Sequence, residues 1–175
     1  MERLDLISKL PLPILDHILS FLAIKDAAKT SVLSKTWNSA WNSLSSLEFG
    51  PENFGSPYYV SYVFVDQILA KRQKHKISIQ RFNMIYFPNY LNVDNWFKIL
   101  VECNIKELWF EFATRYPGKK LPEVIFAAKA LNVLRLGGFK IELPSNGVKF
   151  SSLKELHLVN SFLDEQLLKA ICTIL

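Results

Sequence analysis

The side chains that could perform chemistry are few and lie far apart in this 175-residue sequence. The three histidines, His17, His75 and His157, have no companions at the spacing of metal ligands. The two cysteines, Cys103 and Cys172, lie in apolar stretches, where burial keeps a thiol protonated and unreactive. The sequence therefore predicts neither a metal site nor a cysteine nucleophile.

Two further patterns could bind phosphate or transfer protons, but each has a simpler interpretation. Gly137 and Gly138 are not part of a Gly-x-Gly-x-x-Gly or phosphate-loop pattern and are typical of a turn after a strand. Asp164 and Glu165 precede an apolar helical pattern, where carboxylates cap the helix and favour its dipole. We predict no active site, no cofactor and no enzymatic activity.

Basic side chains form one run that could contact phosphate: Lys71, Arg72, Lys74, Lys76 and Arg81, with His75 inside it. The formal net charge of +5 comes from residues after position 50, since the first fifty carry five basic and five acidic side chains. The run indicates either a nucleic-acid surface or the solvated C-terminal end of a helix. We favour the solvated helix end, because charge runs usually face water.

Residues 1–49 have the pattern of three short helices. Pro13 suits a first helical position, and Asp26 and Ser34 are suitable caps for the second and third helices. Apolar residues recur at helical spacing: Ile14, Leu15, Ile18, Leu19, Leu22, Leu33, Trp37 and Trp41. Three helices of this size enclose little interior. Part of the apolar set therefore either contacts a partner or packs on the rest of the chain.

The C-terminal part, residues 59–175, has the pattern of a repeat. After a breaker-rich linker at 50–58 and a helix predicted over 59–71, four segments fit the L-x-x-L-x-L core of a leucine-rich repeat. Their central residues, spaced 26, 26 and 22 positions apart, are Phe82, Leu108, Leu134 and Leu156. Helices are predicted between and after them, over 95–103, over 122–130 and from Asp164. We predict an α/β fold in which strand–helix repeats stack into a curved parallel sheet, rather than four unrelated strands.

Residues 4–48 resemble an F-box, most closely those of plant F-box proteins with leucine-rich repeats. The matching pattern runs in order through Leu10-Pro11, Ile14-Leu15, Ile18-Leu19, Phe21-Leu22, Lys25-Asp26, the run from Thr30 to Lys35, Trp37 and Trp41. Leu12, Ala23, Thr36 and Asn38 depart from it. The repeat half is similar to the same FBD-type family at Phe64-Val65-Asp66, Trp96, Leu121-Pro122 and the run from Phe150 to Leu158.

The resemblance implies a substrate-recognition subunit of an SCF-type ubiquitin ligase, which marks proteins for proteasomal degradation. In such proteins the F-box binds a Skp-type adaptor, which joins it to cullin and RING subunits, and the repeats bind the target protein. The adaptor contacts that it implies are Leu10, Pro11, Ile14, Leu15, Ile18, Leu19, Leu33, Ser34 and Trp37.

Target contacts are expected on the exposed face of the repeat strands, where the outward candidates are Arg81, Asn83, Glu107, Trp109, Asn132, Arg135, Lys154, Glu155 and His157. Of these, the predicted target contacts are Arg81, Trp109, Arg135, Lys154 and His157. Trp109 stands out, because an indole that alternates with core Leu108 and Phe110 is costly unless a partner or a flanking helix covers it.

Two alternative functions stay open. The family normally continues through more repeats, so this chain is expected to be a truncated form, either a decoy that binds the adaptor without a target or an incomplete recognition subunit. A nucleic-acid-binding module using residues 71–81 is the second alternative. Apolar runs too short for a bilayer, no secretory signal and only two cysteines predict a cytoplasmic or nuclear protein without a membrane partner. The final helix, including Ile174 and Leu175, is expected to be the least stable part.

Overall fold

The computed structural model describes residues 7–50, 62–87, 93–112 and 118–172. The α-helices in this part of the chain are α1 (Leu12–Ser20), α2 (Ile24–Thr30), α3 (Lys35–Ser43), α4 (Tyr62–His75), α5 (Val93–Glu102) and α6 (Glu165–Cys172). The strands are β1 (Ser46–Phe49), β2 (Arg81–Phe87), β3 (Glu107–Phe112), β4 (Lys119–Lys120), β5 (Val133–Gly137), β6 (Phe139–Ile141), β7 (Glu155–Val159) and β8 (Phe162–Leu163). The predicted linker, apart from Gly50, and the residues Ile174 and Leu175 lie outside the described residues.

The three N-terminal helices pack through one small apolar core. Leu15 and Leu19 of α1 are buried, as are Trp37 and Trp41 of α3. Ser34 caps α3 as predicted, because its hydroxyl accepts a hydrogen bond from the Trp37 amide at 3.2 Å.

The predicted cap of the second helix is wrong. Helix α2 already begins at Ile24, so Asp26 lies in its first turn. The carboxylate of Asp26 pairs there with Lys29 at 2.7 Å instead of capping the helix.

The main sheet has five parallel strands in the order β1-β2-β3-β5-β7, which follows the chain. The four central residues of the predicted repeat lie side by side, since Phe82, Leu108, Leu134 and Leu156 are register partners on successive strands. The mixed α/β fold with a parallel repeat sheet is thereby confirmed. A smaller parallel sheet, β4-β6-β8, was not predicted.

Strand β1 was not predicted either, and it joins the helical region to the sheet. Leu47 of β1 is the register partner of Phe82 in β2. The region predicted as purely helical, residues 1–49, therefore supplies the first strand of the repeat sheet. The three helices and the repeats share one hydrogen-bonded framework.

One backbone pattern repeats at the start of every main strand. The carbonyl of Ser45, just before β1, accepts hydrogen bonds from the amides of Gln80 and Arg81 at 2.9 and 3.2 Å. The same two-amide arrangement joins Gln80 to the next strand, and then Lys106 and Asn132 to theirs. We call these four equivalent steps the carbonyl ladder. Its regularity is what a repeat of constant geometry requires.

The helices cover one face of the sheet and form the core there. Phe110 in the central strand lies against Phe97 of α5, with ring centroids 5.4 Å apart. The indole of Trp96 in α5 donates a hydrogen bond to the Asp66 carboxylate of α4 at 2.5 Å. Helices α4 and α5 lie near their predicted positions, whereas the helix predicted over 122–130 is a 3-10 helix, Glu123–Ala127.

The basic run is not uniformly solvated, which corrects one prediction. Arg72 is only 3% exposed. Its guanidinium donates hydrogen bonds to the carbonyl oxygens of Asn42 and Trp41, at 2.9 and 3.0 Å, at the C-terminal end of α3. Burial lowers the pKa of Arg72 to about 10, so the group keeps its charge at neutral pH. Arg72 therefore ties α4 to the helical unit.

Two smaller predictions are also confirmed. Gly138, with φ of 77°, makes the turn between β5 and β6. Asp164 caps α6, because its Oδ1 accepts hydrogen bonds from the amides of Gln166 and Leu167 at 2.8 and 3.3 Å. In α6, Leu167 is buried and Leu168 is half exposed. Among the described residues, no helix has the length and apolarity that a membrane crossing requires.

Candidate binding surfaces

The sheet face opposite the helices carries two rows of mainly polar side chains. Side chains alternate between the faces of a strand, and parallel register places equivalent positions side by side. One row runs across the five strands through Glu48, Asn83, Trp109, Arg135 and His157. The other row runs through Ser46, Arg81, Glu107, Val133 and Glu155. We call this surface the open face.

Opposite charges on the open face pair with one another. Arg81 Nε lies 2.7 Å from Glu107 Oε2, and Arg135 Nη2 lies 3.6 Å from Glu155 Oε2. His157 Nε2 is 3.3 Å from the same Glu155 oxygen. The hydrogen bond from Arg81 lowers the pKa of Glu107 below its ordinary value, and the same bond raises the pKa of Arg81. The face is therefore a row of mutually compensated charges rather than a free basic patch.

Trp109 occupies the middle strand of this face. The guanidinium carbon of Arg135 lies 5.3 Å from the centre of its indole ring, within the range of a cation–π contact. Arg135 thus covers the Trp109 indole on this face. A partner or a flanking helix was predicted to do so. Two buried polar atoms of the face, Asn83 Oδ1 and Arg135 Nε, have no hydrogen-bond partner within the described part of the chain.

A groove of about 440 Å³ runs over the open face. Three of the five predicted target contacts line it together: Arg81, Trp109 and Arg135. The structure does not bring the other two to the groove lining, because Lys154 precedes β7 and His157 reaches the groove only through Glu155.

The three lining carboxylates are Glu48, Glu107 and Glu155. Glu107 and Glu155 were among the outward candidates of the repeat strands, although not among the five predicted target contacts. Glu48 was not predicted, since strand β1 carries no repeat signature.

The predicted adaptor contacts fall into two groups. Ile14 and Leu33 are 47% and 66% exposed, Pro11 is exposed, and Leu10, Ile18 and Ser34 are partly buried. Leu15, Leu19 and Trp37 are buried and hold the helices together, so in this structure they support the surface rather than form it. Other exposed apolar residues that the sequence analysis did not select are Ile7, Leu12, Phe21 and Val32.

The cysteine and histidine candidates for nucleophilic or metal chemistry do not form such a site in the described part of the chain. Burial raises the pKa of the Cys103 thiol, which is consistent with an unreactive cysteine. Within the described ranges, no three side chains among histidine, cysteine, aspartate and glutamate are placed to hold a metal ion.

Comparison with known proteins shows similarity along nearly the whole chain. Residues 7–49 match the family model described as the F-box domain, and residues 93–173 match the model for the leucine-rich repeats of FBD-associated F-box protein At5g56370. No solved structure matches the chain.

Among curated relatives from Arabidopsis thaliana, the putative F-box protein At1g49610 is 33% identical over 97% of this chain and 42% of its own length. The F-box/FBD/LRR-repeat protein At5g56420 is 31% identical over 95% of this chain and 40% of its own length. This chain therefore spans about two fifths of these relatives.

Proposed function

This chain belongs to the F-box proteins with leucine-rich repeats of the FBD-associated type, and on that premise we propose that it is the substrate-recognition subunit of an SCF-type ubiquitin ligase. It binds a Skp-type adaptor through the helical unit, residues 7–43, and a target protein through the open face. Cullin and RING subunits join through the adaptor.

The apolar surface of the helical unit supports the adaptor contact. Val32 and Leu33 are 85% and 66% exposed at the turn between α2 and α3, although the helical unit has a formed core and packs on the sheet. An apolar group of this size that the chain itself does not cover is typical of a protein interface. This exposure is the observation that carries the proposal.

The open face supports the target contact. Tryptophan and arginine are the residue types that most often dominate binding energy, especially near the centre of an interface. Trp109 lies on the middle strand, with Arg81 and Arg135 on the two strands that flank it. The face is therefore suited to bind protein rather than to transform a substrate.

The mechanism that follows is proximity. The helical unit fixes one end of the protein to the ligase while the open face holds the target, which raises the effective concentration of target lysines near the conjugating enzyme. Arg72 hydrogen-bonds the C-terminal end of α3, and the carbonyl ladder links Ser45 to the start of β2, so both connect the described parts of the two surfaces. The distance between adaptor and target is then set by the fold.

The adaptor contact is tested by charge insertion. In the double variant Ile14→Lys and Leu33→Lys, pull-down of a purified Skp-type adaptor should fall to background, because two lysines would be buried without partners at the interface. The matched control is Val63→Lys, an equally exposed apolar residue on α4. Its pull-down should equal that of the original protein. Full retention of the adaptor by the double variant, with its circular dichroism spectrum unchanged, would overturn the proposal.

The alternatives differ in what supports them. The nucleic-acid alternative has less support, because two basic side chains of the run are not available to phosphate. Arg72 is buried, and Arg81 is paired with Glu107. A decoy would bind the adaptor but leave the open face without an occupant. Binding of a target protein at the open face therefore distinguishes a recognition subunit from a decoy.

A further inference from the structure

The connections that lead into the repeat strands carry positive charge only. Strands β2, β3, β5 and β7 are parallel, so the chain enters all four at the same end of the sheet. It does so through residues 76–80, 103–106, 128–132 and 148–154, none of which is aspartate or glutamate. Five exposed lysines lie in these segments, and we call them the basic rim: Lys76, Lys106, Lys129, Lys149 and Lys154.

The basic rim contains the whole excess charge of the protein. The chain has 21 basic and 16 acidic side chains, which gives a formal net charge of +5. Without the five rim lysines the two kinds of side chain are equal in number. In the part of the chain that the structure describes, no rim lysine forms an ion pair. The uncompensated positive charge is therefore concentrated at one end of the sheet.

Lysines of the smaller sheet, which follows the carboxyl ends of the main strands, differ from those of the rim. Lys119 Nζ lies 3.2 Å from Asp94 Oδ2. Lys120 and Lys140 share the carboxylate of Glu142, at 3.2 and 2.6 Å. Lysines of this protein thus pair with carboxylates where the fold supplies them. The end of the sheet that carries the rim does not supply them among the described residues.

Stabilisation of the helices explains only part of the rim. A lysine just after a helix favours the negative end of the helix dipole, an effect that falls off within the last turn. Lys76 directly follows α4, so this effect applies to it. Lys106 and Lys154 instead directly precede β3 and β7. The carbonyl ladder holds their backbones on either side of Asn132, through hydrogen bonds of 2.7 and 2.8 Å.

The rim borders the open face, yet its lysines do not take part in the pairs there. Glu107 and Glu155 directly follow Lys106 and Lys154 in the sequence, and these two carboxylates pair with arginines of the open face. An acidic partner therefore finds the rim lysines available without breaking those pairs. Positive charge that is not compensated locally attracts and orients such a partner.

The surroundings of the rim favour an acidic protein segment over nucleic acid. Single-stranded nucleic acids stack their bases on exposed aromatic side chains, but the only aromatic residue in the four segments, Phe150, is buried. Phosphate groups bind well at helix N-termini, whereas α4 and α5 end at the rim with their C-termini. Carboxylates need neither feature, because they pair with exposed lysines directly.

We propose that the basic rim binds an acidic segment of the target protein, a stretch with several aspartate or glutamate residues, next to the contacts of the open face. This inference rests on the proposed function, because the occupant is part of the target. It gives Lys154 a role in target binding outside the groove, and it adds Lys106 and Lys129, which were not among the predicted target contacts.

The probe is a fluorescent twelve-residue peptide, Gly- and Ser-based, that carries four Glu, and its control carries four Gln instead. Binding to the full chain is measured by fluorescence anisotropy in low salt. The Glu peptide should bind about tenfold more tightly, a ratio that corresponds to about 1.4 kcal/mol, and added salt should remove the difference. Equal binding of the two peptides would overturn the inference. Tighter binding of a single-stranded DNA with the same number of charges would also overturn it.

Charge-reversal variants locate the binding site. Lys106→Glu with Lys154→Glu should abolish the preference for the Glu peptide, whereas Lys106→Arg with Lys154→Arg should keep it. The matched control is Lys71→Glu with Lys98→Glu, which changes the net charge equally at exposed lysines of α4 and α5. This control should keep most of the preference. Equal losses in the two Glu variants would assign the binding to net charge and overturn the rim as a site.

Adaptor pull-down separates this inference from the proposed function. All of these variants should retain the adaptor, because the rim lies outside the helical unit. If the original protein shows no preference for the Glu peptide but retains the adaptor, the rim assignment fails while the proposed adaptor contact stands. Rim-dependent binding of the Glu peptide without retention of the adaptor would instead refute the proposed ligase function.

Discussion

The helical unit and the repeat sheet use apolar residues in opposite ways. In the helical unit several large apolar side chains face solvent, including Ile14, Phe21, Val32 and Leu33. In the sheet, the inward residues of the middle strand, such as Phe110, are fully buried under the helices. A unit of three short helices has too little interior for its apolar residues, whereas stacked repeats share one core. The surplus of the first region is available for partners, and the packing of the second gives those partners a rigid support.

The largest expected effect tests the packed side of this contrast. Phe110→Ala should lower the free energy of unfolding by about 3–5 kcal/mol, because it removes a fully buried ring that contacts Phe97, Phe112 and Phe139. Phe21→Ala, at the exposed ring, should change it by less than about 0.5 kcal/mol. Urea denaturation followed by circular dichroism measures both. Similar losses for the two variants would break the contrast.

The next largest expected change in unfolding free energy is at Arg72, which connects α4 to the helical unit. Arg72→Met should cost about 2 kcal/mol, because two charge-assisted hydrogen bonds are lost while the burial of a charge is relieved. Amide exchange near Trp41 and Asn42 should become faster. Lys71→Met, at the exposed neighbour on the same helix, is the control and should alter neither quantity. Unchanged exchange in the Arg72 variant would show that the ladder alone joins the two regions.

A substitution at Gly137, which lies close to Glu111 on the open face, comes next. A methyl group at Gly137 would overlap Cγ of Glu111 on the neighbouring strand. Gly137→Ala should therefore destabilise the protein by about 1–3 kcal/mol, since the glutamate must move. Adding Glu111→Ala should recover most of that loss, which a double-mutant cycle of unfolding free energies measures. A purely additive cycle would place the cost in the backbone instead.

The smallest expected effect concerns the exposed lysines of the basic run. Reversing Lys71 and Lys74 to Glu should leave both stability and adaptor pull-down unchanged, because both side chains are exposed on α4. The original protein should show no retention on duplex or single-stranded DNA in low salt. Tight retention that declines steeply with salt would instead favour the nucleic-acid function.

Sequence patterns predicted what depends on local spacing and missed what depends on distant partners. The repeat consensus predicted the neighbours of Leu108 and Leu134 in the sheet, because each repeat carries its own core residues. Strand β1 has no such signature, and its pairing with β2 is decided by residues more than thirty positions later. The burial of Arg72 likewise depends on carbonyl groups about thirty residues away. Lys71 and Lys74 lie close to it in the sequence and are exposed, which is why the run was predicted to be solvated throughout.

The groove over the open face likewise combines residues that local spacing predicts with residues that depend on distant partners. The alternation of the repeat strands placed Arg81, Trp109 and Arg135 on one face, and the structure brings them into one groove. The same alternation placed Glu107 and Glu155 on that face, whereas the contribution of Glu48 follows from how the helical unit joins the sheet. No pattern within either region alone contains that information.

The carbonyl ladder places the successive strands of the main sheet at equal steps. It begins at Ser45, directly after the helical unit, and repeats the same step at Gln80, Lys106 and Asn132. Each step advances the open face by one strand spacing, about 4.8 Å. A repeat inserted into this series, or removed from it, would shift every later contact by that increment and leave the join to the helices intact. The distance from the helices to any later position on the open face therefore changes in discrete units.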